Sequence, residues 1–225
     1  MGTLPPVLAL GVCTRPASAA EFTLKVRRSE FIAALFPAAD AEAARAALEE
    51  IRRRHFSAAH HCPAWRTGFP ATEEFCSDDG EPSGTAGRPI LGELKKVNLC
   101  NAAVVVTRYF GGVKLGVRGL IEAYSAAAAG AVRKAVLEKC GLFRALTLRC
   151  GYSELSAVSH LLKTMGIPGS RYRVQYGQDV LISAQVAASL EASAAEKLSD
   201  FSSRQLLAAD PLWGGTELLA LKDGE

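Results

Sequence analysis

After residue 143 the apolar pattern switches between a period of two and a helical period in a fixed order. That order limits the fold more than any other feature of the chain. Leu146 to Cys150 alternates as a strand, and Ser153 is placed to cap a helix from Glu154 to Met165. Arg171 to Tyr176 and Val180 to Val186 read as strands joined by a tight hairpin at Gly177-Gln178-Asp179. A helix from about Leu190 to Leu206 and a strand from Thr216 to Leu221 complete the series. Strand–helix–strand–strand–helix–strand is the ferredoxin-like arrangement. With 225 residues in all, the preceding segment is long enough to bury a core of its own. The chain is therefore expected to be an α+β protein of two domains, 21–143 and 144–225, behind a loose tail over residues 1–20.

The first domain reads less regularly. Phe22, Leu24 and Val26 alternate with polar residues, as in a half-buried strand. Asp40 suits the cap of an Ala-rich helix through Arg54, with Leu48 and Ile51 on one face and Arg52, Arg53 and Arg54 completing the helix dipole. A strand within 57–69 would carry His60, Cys62 and Trp65 to one side. Residues 76–92 read as a long structured loop, rich in Gly and Pro. Ala102 to Thr107, centred on three valines, reads as a strand buried on both faces. A glycine-rich turn at 111–116 follows. An Ala-rich helix from Leu120 to Lys139 would then end at Gly141, with Leu120, Tyr124, Ala128, Val132 and Val136 facing the core.

Several function classes fall away on composition. No apolar run approaches the roughly 18 residues of a membrane span. The six cysteines lack the close spacing of a zinc or redox motif, and no disulfide framework is expected from them. Leu4 to Val12 is apolar, but it has no basic region before it and Pro5 and Pro6 interrupt it, so an exported chain is not expected. The protein is read as cytoplasmic. A formal net charge of +3 does not by itself argue for nucleic acid. Its distribution is more informative, because an acidic stretch at 73–81 precedes a segment, 86–118, with six Lys and Arg and only Glu93 against them.

Chemistry concentrates in three places. Asp78, Asp79 and Glu81 could offer oxygens to a divalent cation, but they lack the spacing of a calcium loop and no His follows at a useful distance. An acidic turn that ties itself to nearby N–H and Arg groups is the expected reading, with no metal and no cofactor. The small residues that follow, Pro82, Ser83, Gly84, Thr85 and Gly87, could turn backbone N–H groups on an anion, though they do not match a phosphate loop. His60, His61 and Cys62 resemble a ligand cluster, yet only His60 and Cys62 can share a strand face. Those two also form a conceivable nucleophile pair with no third group to orient it. His55 and His160 show no partner. Arg108, Tyr109, Phe110, Gly111, Gly112 and Lys114 combine cations, aromatics and a turn, as phosphate and base-stacking contacts require. The same aromatics would serve equally as core.

Two segments, Cys76 through Leu91 and Val104 through Gly116, strongly resemble the IMPACT/YigZ family in its bacterial two-domain form. Ala59-His60-His61-Cys62-Pro63-Ala64-Trp65-Arg66 is similar to a third family segment. The resemblance covers roughly residues 20–140. It implies a ribosomal protein S5 domain 2-like first domain with a left-handed βαβ crossover, against the usual rule. It also implies likeness of both domains to the last two domains of elongation factor G. Eukaryotic relatives act in translational control, and no further N-terminal domain of their kind is expected here.

By resemblance, binding roles fall on His60, Asp78, Asp79, Gly80, Glu81, Pro82, Ser83, Gly84, Thr85, Gly87, Arg108, Tyr109, Phe110, Gly111, Gly112, Lys114 and Gly116. Two positions depart from the family pattern: Arg118 stands for a glycine and Glu122 for an arginine. Glu122 would repel a phosphate at the helix start, and Arg118 would restore positive charge nearby. The expectation is a binding or regulatory protein that contacts the ribosome, RNA or a translation-associated protein, with no catalysis. The alternatives are a metal-assisted hydrolase using Asp78, Asp79 and Glu81, and a purely protein-binding module.

Overall fold

A computed structural model describes residues 12–69 and 71–221, which hold two five-stranded sheets and five α-helices. The chain divides into two compact units, with the division at Cys140/Gly141. The first unit is built on a sheet ordered β2-β3-β6-β4-β5. Its strands are β2 (Ala20–Val26), β3 (Ser29–Pro37), β4 (His60–Thr67), β5 (Glu73–Cys76) and β6 (Ala102–Tyr109). Each neighbouring pair is antiparallel, so β3 and β4 run parallel on either side of β6.

β6 is buried along almost its whole length because both of its faces are covered. Val104 and Val106 pack with Ile90 and Leu94 of α2 (Gly87–Lys96) and with Leu120, Tyr124 and Ala127 of α3 (Gly116–Lys134). Val105 faces the other way, onto Leu48 and Ile51 of α1 (Ala41–Arg54). Asp40 caps α1 as expected, its carboxylate accepting the Ala43 N–H at 2.8 Å. The small residues of α3 let it lie close to the sheet: a Cβ on Gly130 would sit 2.1 Å from the Phe22 ring.

Several expectations need correction. The segment 76–92 is not all loop, since α2 begins at Gly87. Trp65 lies on the opposite face of β4 from Cys62 and packs with Ala38, Ala44 and Ala103, as a period of two demands. The Ala-rich helix stops at Lys134 instead of Lys139, and Ala135 is already extended at φ −69°, ψ 142°. Leu137–Cys150 forms one long strand, β7, with Gly141 inside it. Val136 is 66% exposed, not core.

The cause lies in residues assigned to a loose tail. Val12–Pro16 forms β1, which pairs with β7. Ala17 N–H donates to the Val136 carbonyl at 2.9 Å, and Arg15 meets Glu138 at 2.6 Å. A strand partner thus competes successfully with the helix for residues 136–140. The rest of the expected tail, residues 1–11, lies outside the described residues. Cys13 and Cys100 are joined in a disulfide, contrary to expectation, with their Cα atoms 6.3 Å apart. They are 87 residues apart in sequence, and the pairing of β1's Thr14 with Asn98 and Cys100 brings them together.

The second unit follows the expected order: β7, α4 (Leu155–Thr164), β8 (Tyr172–Tyr176), β9 (Val180–Ala187), α5 (Glu191–Ser203) and β10 (Leu212–Ala220). Its strands lie in the order β10-β7-β9-β8. Leu146, Leu148, Val180 and Ile182 meet Leu162 and Leu198 in one core. Ser153 does not cap α4; its hydroxyl donates to the Glu154 carboxylate at 2.7 Å. Among the described residues no helix is long and apolar enough to cross a membrane.

Candidate functional site

The acidic turn after β5 is folded by its own carboxylates. Asp78 Oδ2 accepts the Gly84 N–H at 2.8 Å, and Oδ1 accepts those of Ala86 and Gly87 at 2.9 Å each. Ala86 occupies the N-cap position of α2 and has no capping side chain. Asp78 therefore does from eight residues away what a Ser or Asp cap does locally. Gly87 is required at this approach, since a Cβ there would sit 2.8 Å from the Ser77 backbone. Asp79 accepts the His61 N–H at 2.6 Å and Arg52 Nη2 at 3.1 Å. Gly80 and Gly84 take positive φ, and Thr85 closes the turn by donating to the Pro82 carbonyl at 2.7 Å. Ser83 is exposed.

Glu81 points inward instead. Its side chain is 3% exposed, and Oε1 accepts Arg108 Nη1 at 2.6 Å and the Tyr124 hydroxyl at 2.7 Å. The β4–β6 register sets His60 directly opposite Arg108, so both reach the same face as Glu81. His60 Nε2 lies 3.8 Å from Glu81 Oε1, while Nδ1 donates to the Asp79 carbonyl at 2.8 Å. Arg108 stands over the rings of Phe31 and Phe110, 5.4 Å from each centroid. Its charge is thus spent inside the protein, which corrects the expectation that Arg108 meets phosphate directly.

Beneath this group Cys62 donates to the Asp78 carbonyl at 3.1 Å and to Tyr124 at 3.5 Å. Burial pushes the Cys62 thiol up to about 12; the carboxylates of Glu81, Asp79 and Asp78 add to this, and the Tyr124 hydrogen bond only partly opposes it. Burial, helped by Cys62 and Glu81, likewise raises Tyr124, so its hydroxyl remains a donor. A thiol so held is no activated nucleophile. Iodoacetamide at pH 8 is expected to label Cys62 only when the protein unfolds. Labelling of the folded protein at the rate of a free cysteine would contradict this placement.

Above the floor, the turn after β6 and the start of α3 enclose a cleft with a volume of about 520 Å³. Phe110, Leu115, Val117 and Leu120 give it an apolar wall, with His60, Glu81, Pro82 and Arg108 below and Lys114 and Gly116 at the mouth. Phe110 is 53% exposed, whereas Tyr109 turns away and its hydroxyl meets His55 Nδ1 at 3.0 Å. Neither ring is core: Phe110 is exposed and Tyr109 half-buried. Gly111 allows close approach, because a Cβ would overlap the Arg28 backbone at 2.1 Å, and Gly112 takes φ +81°. Arg118 and Glu122 pair with each other at 2.8 Å on the exposed face of α3, so the anion-repelling charge expected of Glu122 is compensated.

The expected site residues thus divide in two. His60, Glu81, Pro82, Arg108, Phe110, Lys114 and Gly116 line the cleft, whereas Asp78, Asp79, Gly80, Gly84, Thr85 and Gly87 build the turn that positions Glu81. Asp78, Asp79 and Glu81 face separate donors, and no group of three or more His, Cys, Asp or Glu among the described residues could hold a metal ion. Tyr124 and Val117 were not picked out by sequence as site residues. Tyr124 read only as core, and its four-residue spacing from Leu120 was the available signal.

Fold and site together define a two-unit α/β protein with an apolar cleft closed below by a buried carboxylate–guanidinium pair. The chain belongs to the IMPACT family. The sequence profile of the Impact N-terminal domain matches residues 27–132. The Escherichia coli IMPACT family member YigZ is 36% identical over 199 residues, 87% of this chain and 97% of that protein. The Bacillus subtilis member YvyE is 35% identical over 145 residues, 64% of this chain and 67% of its own length. A solved structure, titled only as a hypothetical protein, is 32% identical with a TM-score of 0.59, covering 95% of this chain and 98% of its own.

Proposed function

We propose that this chain is a cytoplasmic binding protein of the translation apparatus, that it catalyses no reaction, and that the cleft of its first unit is the contact surface. Family membership supports the translation setting. The observation that carries the choice of surface is the exposed Phe110 ring beside Lys114 at the mouth of an apolar cleft. An aromatic face next to a cation that makes no ion pair among the described residues suits a nucleic-acid strand, by stacking and by phosphate contact. We read the first unit as S5 domain 2-like, supported by the β3–α1–β4 crossover around β6, and the second as ferredoxin-like, supported by the order β10-β7-β9-β8.

The metal-assisted hydrolase loses ground because its three carboxylates are engaged separately. Co-sedimentation of the purified protein with ribosomes across a salt series, with and without ribonuclease, tests the proposal. Pelleting at low salt with release as salt rises is the expected result. Lys114→Ala should flatten the log–log salt slope by about one, as loss of one phosphate contact does. A protein that stays in the supernatant throughout contradicts the proposal, and binding that survives ribonuclease and moderate salt favours a protein partner.

A further inference from the structure

The N-terminal strand of the first unit brings three sulfur atoms together. Ala17 N–H donates to the Val136 carbonyl and Arg15 pairs with Glu138, so two residues back along β1 match two residues onward into β7. The next equal step sets Cys13 opposite Cys140. Cys13 and Arg15 share one face of β1, and Glu138 and Cys140 share one face of β7. Arg15 places those faces on the same side, because its guanidinium also hydrogen-bonds the Cys140 sulfur. Opposite residues of an antiparallel pair hold their Cα atoms about 4.5–5.5 Å apart, a separation that a disulfide spans.

Cys13 is already bonded to Cys100 on its other flank, where Thr14 pairs with Asn98 and Cys100. None of the three cysteines is more than 2% exposed, so a thiol from solution does not readily reach the bond. Cys140 is a free thiol placed beside it. Burial pushes that thiol up, Arg15 pulls it down through its charge and its hydrogen bond, and Glu138 adds to the rise. Position, rather than acidity, is what Cys140 offers as a nucleophile. A disulfide in a cytoplasmic protein, the setting proposed above, more often serves redox chemistry than structure.

We propose that Cys13 alternates its disulfide between Cys100 and Cys140, which makes β1 a thiol–disulfide switch. The Cys140 thiolate attacks Cys13 Sγ, and the Cys13–Cys140 bond forms as the Cys13–Cys100 bond breaks. Cys100 leaves as a thiolate and takes up the proton that Cys140 gave up. Sulfur is neither oxidised nor reduced overall, so the step needs no outside oxidant or reductant. The exchange moves the covalent tie of β1 from the approach to β6 to the start of β7. β6 carries Arg108 to the cleft floor, so the tie released is the one next to the strand on which the cleft is built. The switch stands whatever the cleft binds.

The test is a disulfide map of the oxidised full chain, incubated at pH 8.5, quenched in acid, blocked with N-ethylmaleimide and digested for mass spectrometry. Wild type should yield two linked pairs, Cys13–Cys100 and Cys13–Cys140, with N-ethylmaleimide shifting from Cys140 to Cys100 as the second pair grows. Cys100→Ser, oxidised with glutathione disulfide, should form Cys13–Cys140 and lose the N-ethylmaleimide that both cysteines carry in its reduced form. Cys140→Ser should hold Cys13–Cys100 alone. A Cys13–Cys140 peptide from wild type or from Cys100→Ser, without links from Cys13 to Cys62, Cys76 or Cys150, upholds the proposal. Links to those three at comparable yield overturn it, because they mark scrambling in an unfolded chain instead of a placed thiol. Absence of the Cys13–Cys140 peptide from wild type and from a Cys100→Ser protein with wild-type circular dichroism also overturns it. Should that variant fail to fold, absence from wild type alone decides against the switch.

Discussion

Replacing Glu81 with Ala is expected to lower folding stability by about 3–5 kcal/mol, the cost typical of removing one partner from a buried ion pair. The loss is not the strength of a contact. Arg108 would remain inside the protein with its charge uncompensated, and the Tyr124 hydroxyl would lose its acceptor. Two further variants separate these contributions. Tyr124→Phe removes one hydrogen bond and should cost about 1–2 kcal/mol. The double variant Glu81→Leu with Arg108→Met removes both charges, and should recover most of what Glu81→Ala loses. Urea unfolding followed by circular dichroism measures all three. A Glu81→Ala protein within 1 kcal/mol of wild type would mean that water reaches the pair, and the cleft floor described above would be wrong.

The second large effect belongs to Asp78. Asp78→Ala leaves the N–H groups of Gly84, Ala86 and Gly87 without their acceptor at the start of α2. Ala86 and Gly87 are buried, Gly84 only half so; with a penalty of about 1–3 kcal/mol for each buried donor left open, a loss of at least about 2 kcal/mol is expected. Asp78→Asn keeps one acceptor oxygen and should lose less.

The same carboxylate gives acid sensitivity a definite sign. Burial pushes Asp78 up, but the three N–H donors and the nearby Arg88 outweigh it and hold the carboxyl below its usual range. The depressed value means that its contribution to stability is complete above the ordinary Asp value near 4 and is lost as pH falls through the lower folded value. Wild type should therefore lose stability below about pH 4 more steeply than Asp78→Asn. Parallel acid unfolding curves would show that Asp78 does not hold the turn.

What was legible in the sequence was local. The cap at Asp40, the doubly buried run at 102–107 and the element order of the second unit depend on neighbours within a few residues. The pairing of Glu81 with Arg108 spans 27 positions. It follows from a strand register that sets His60 opposite Arg108, which no local pattern encodes. Arg108 therefore read as a surface cation when it is half of a buried pair. The end of α3 was misplaced for a related reason. Residues 135–139 have helix-compatible composition, and only the arrival of β1 from more than 100 residues earlier turns them into strand. The acidic turn was read in outline because carboxylates crowded among glycines must find donors nearby. Which carboxylate turns inward was fixed by the donors that Arg108 and Tyr124 bring to it from distant strand and helix.

The central claim is that the protein meets the translation apparatus through the cleft beside Phe110. Ultraviolet cross-linking of the ribosome-bound protein, followed by mass spectrometry of the cross-linked peptides, tests it most directly. The account predicts cross-links to RNA concentrated in the peptide carrying Phe110 to Lys114, and their loss in Phe110→Ala. Cross-links confined to residues beyond Gly141, with the 110–114 peptide unmodified, would contradict it.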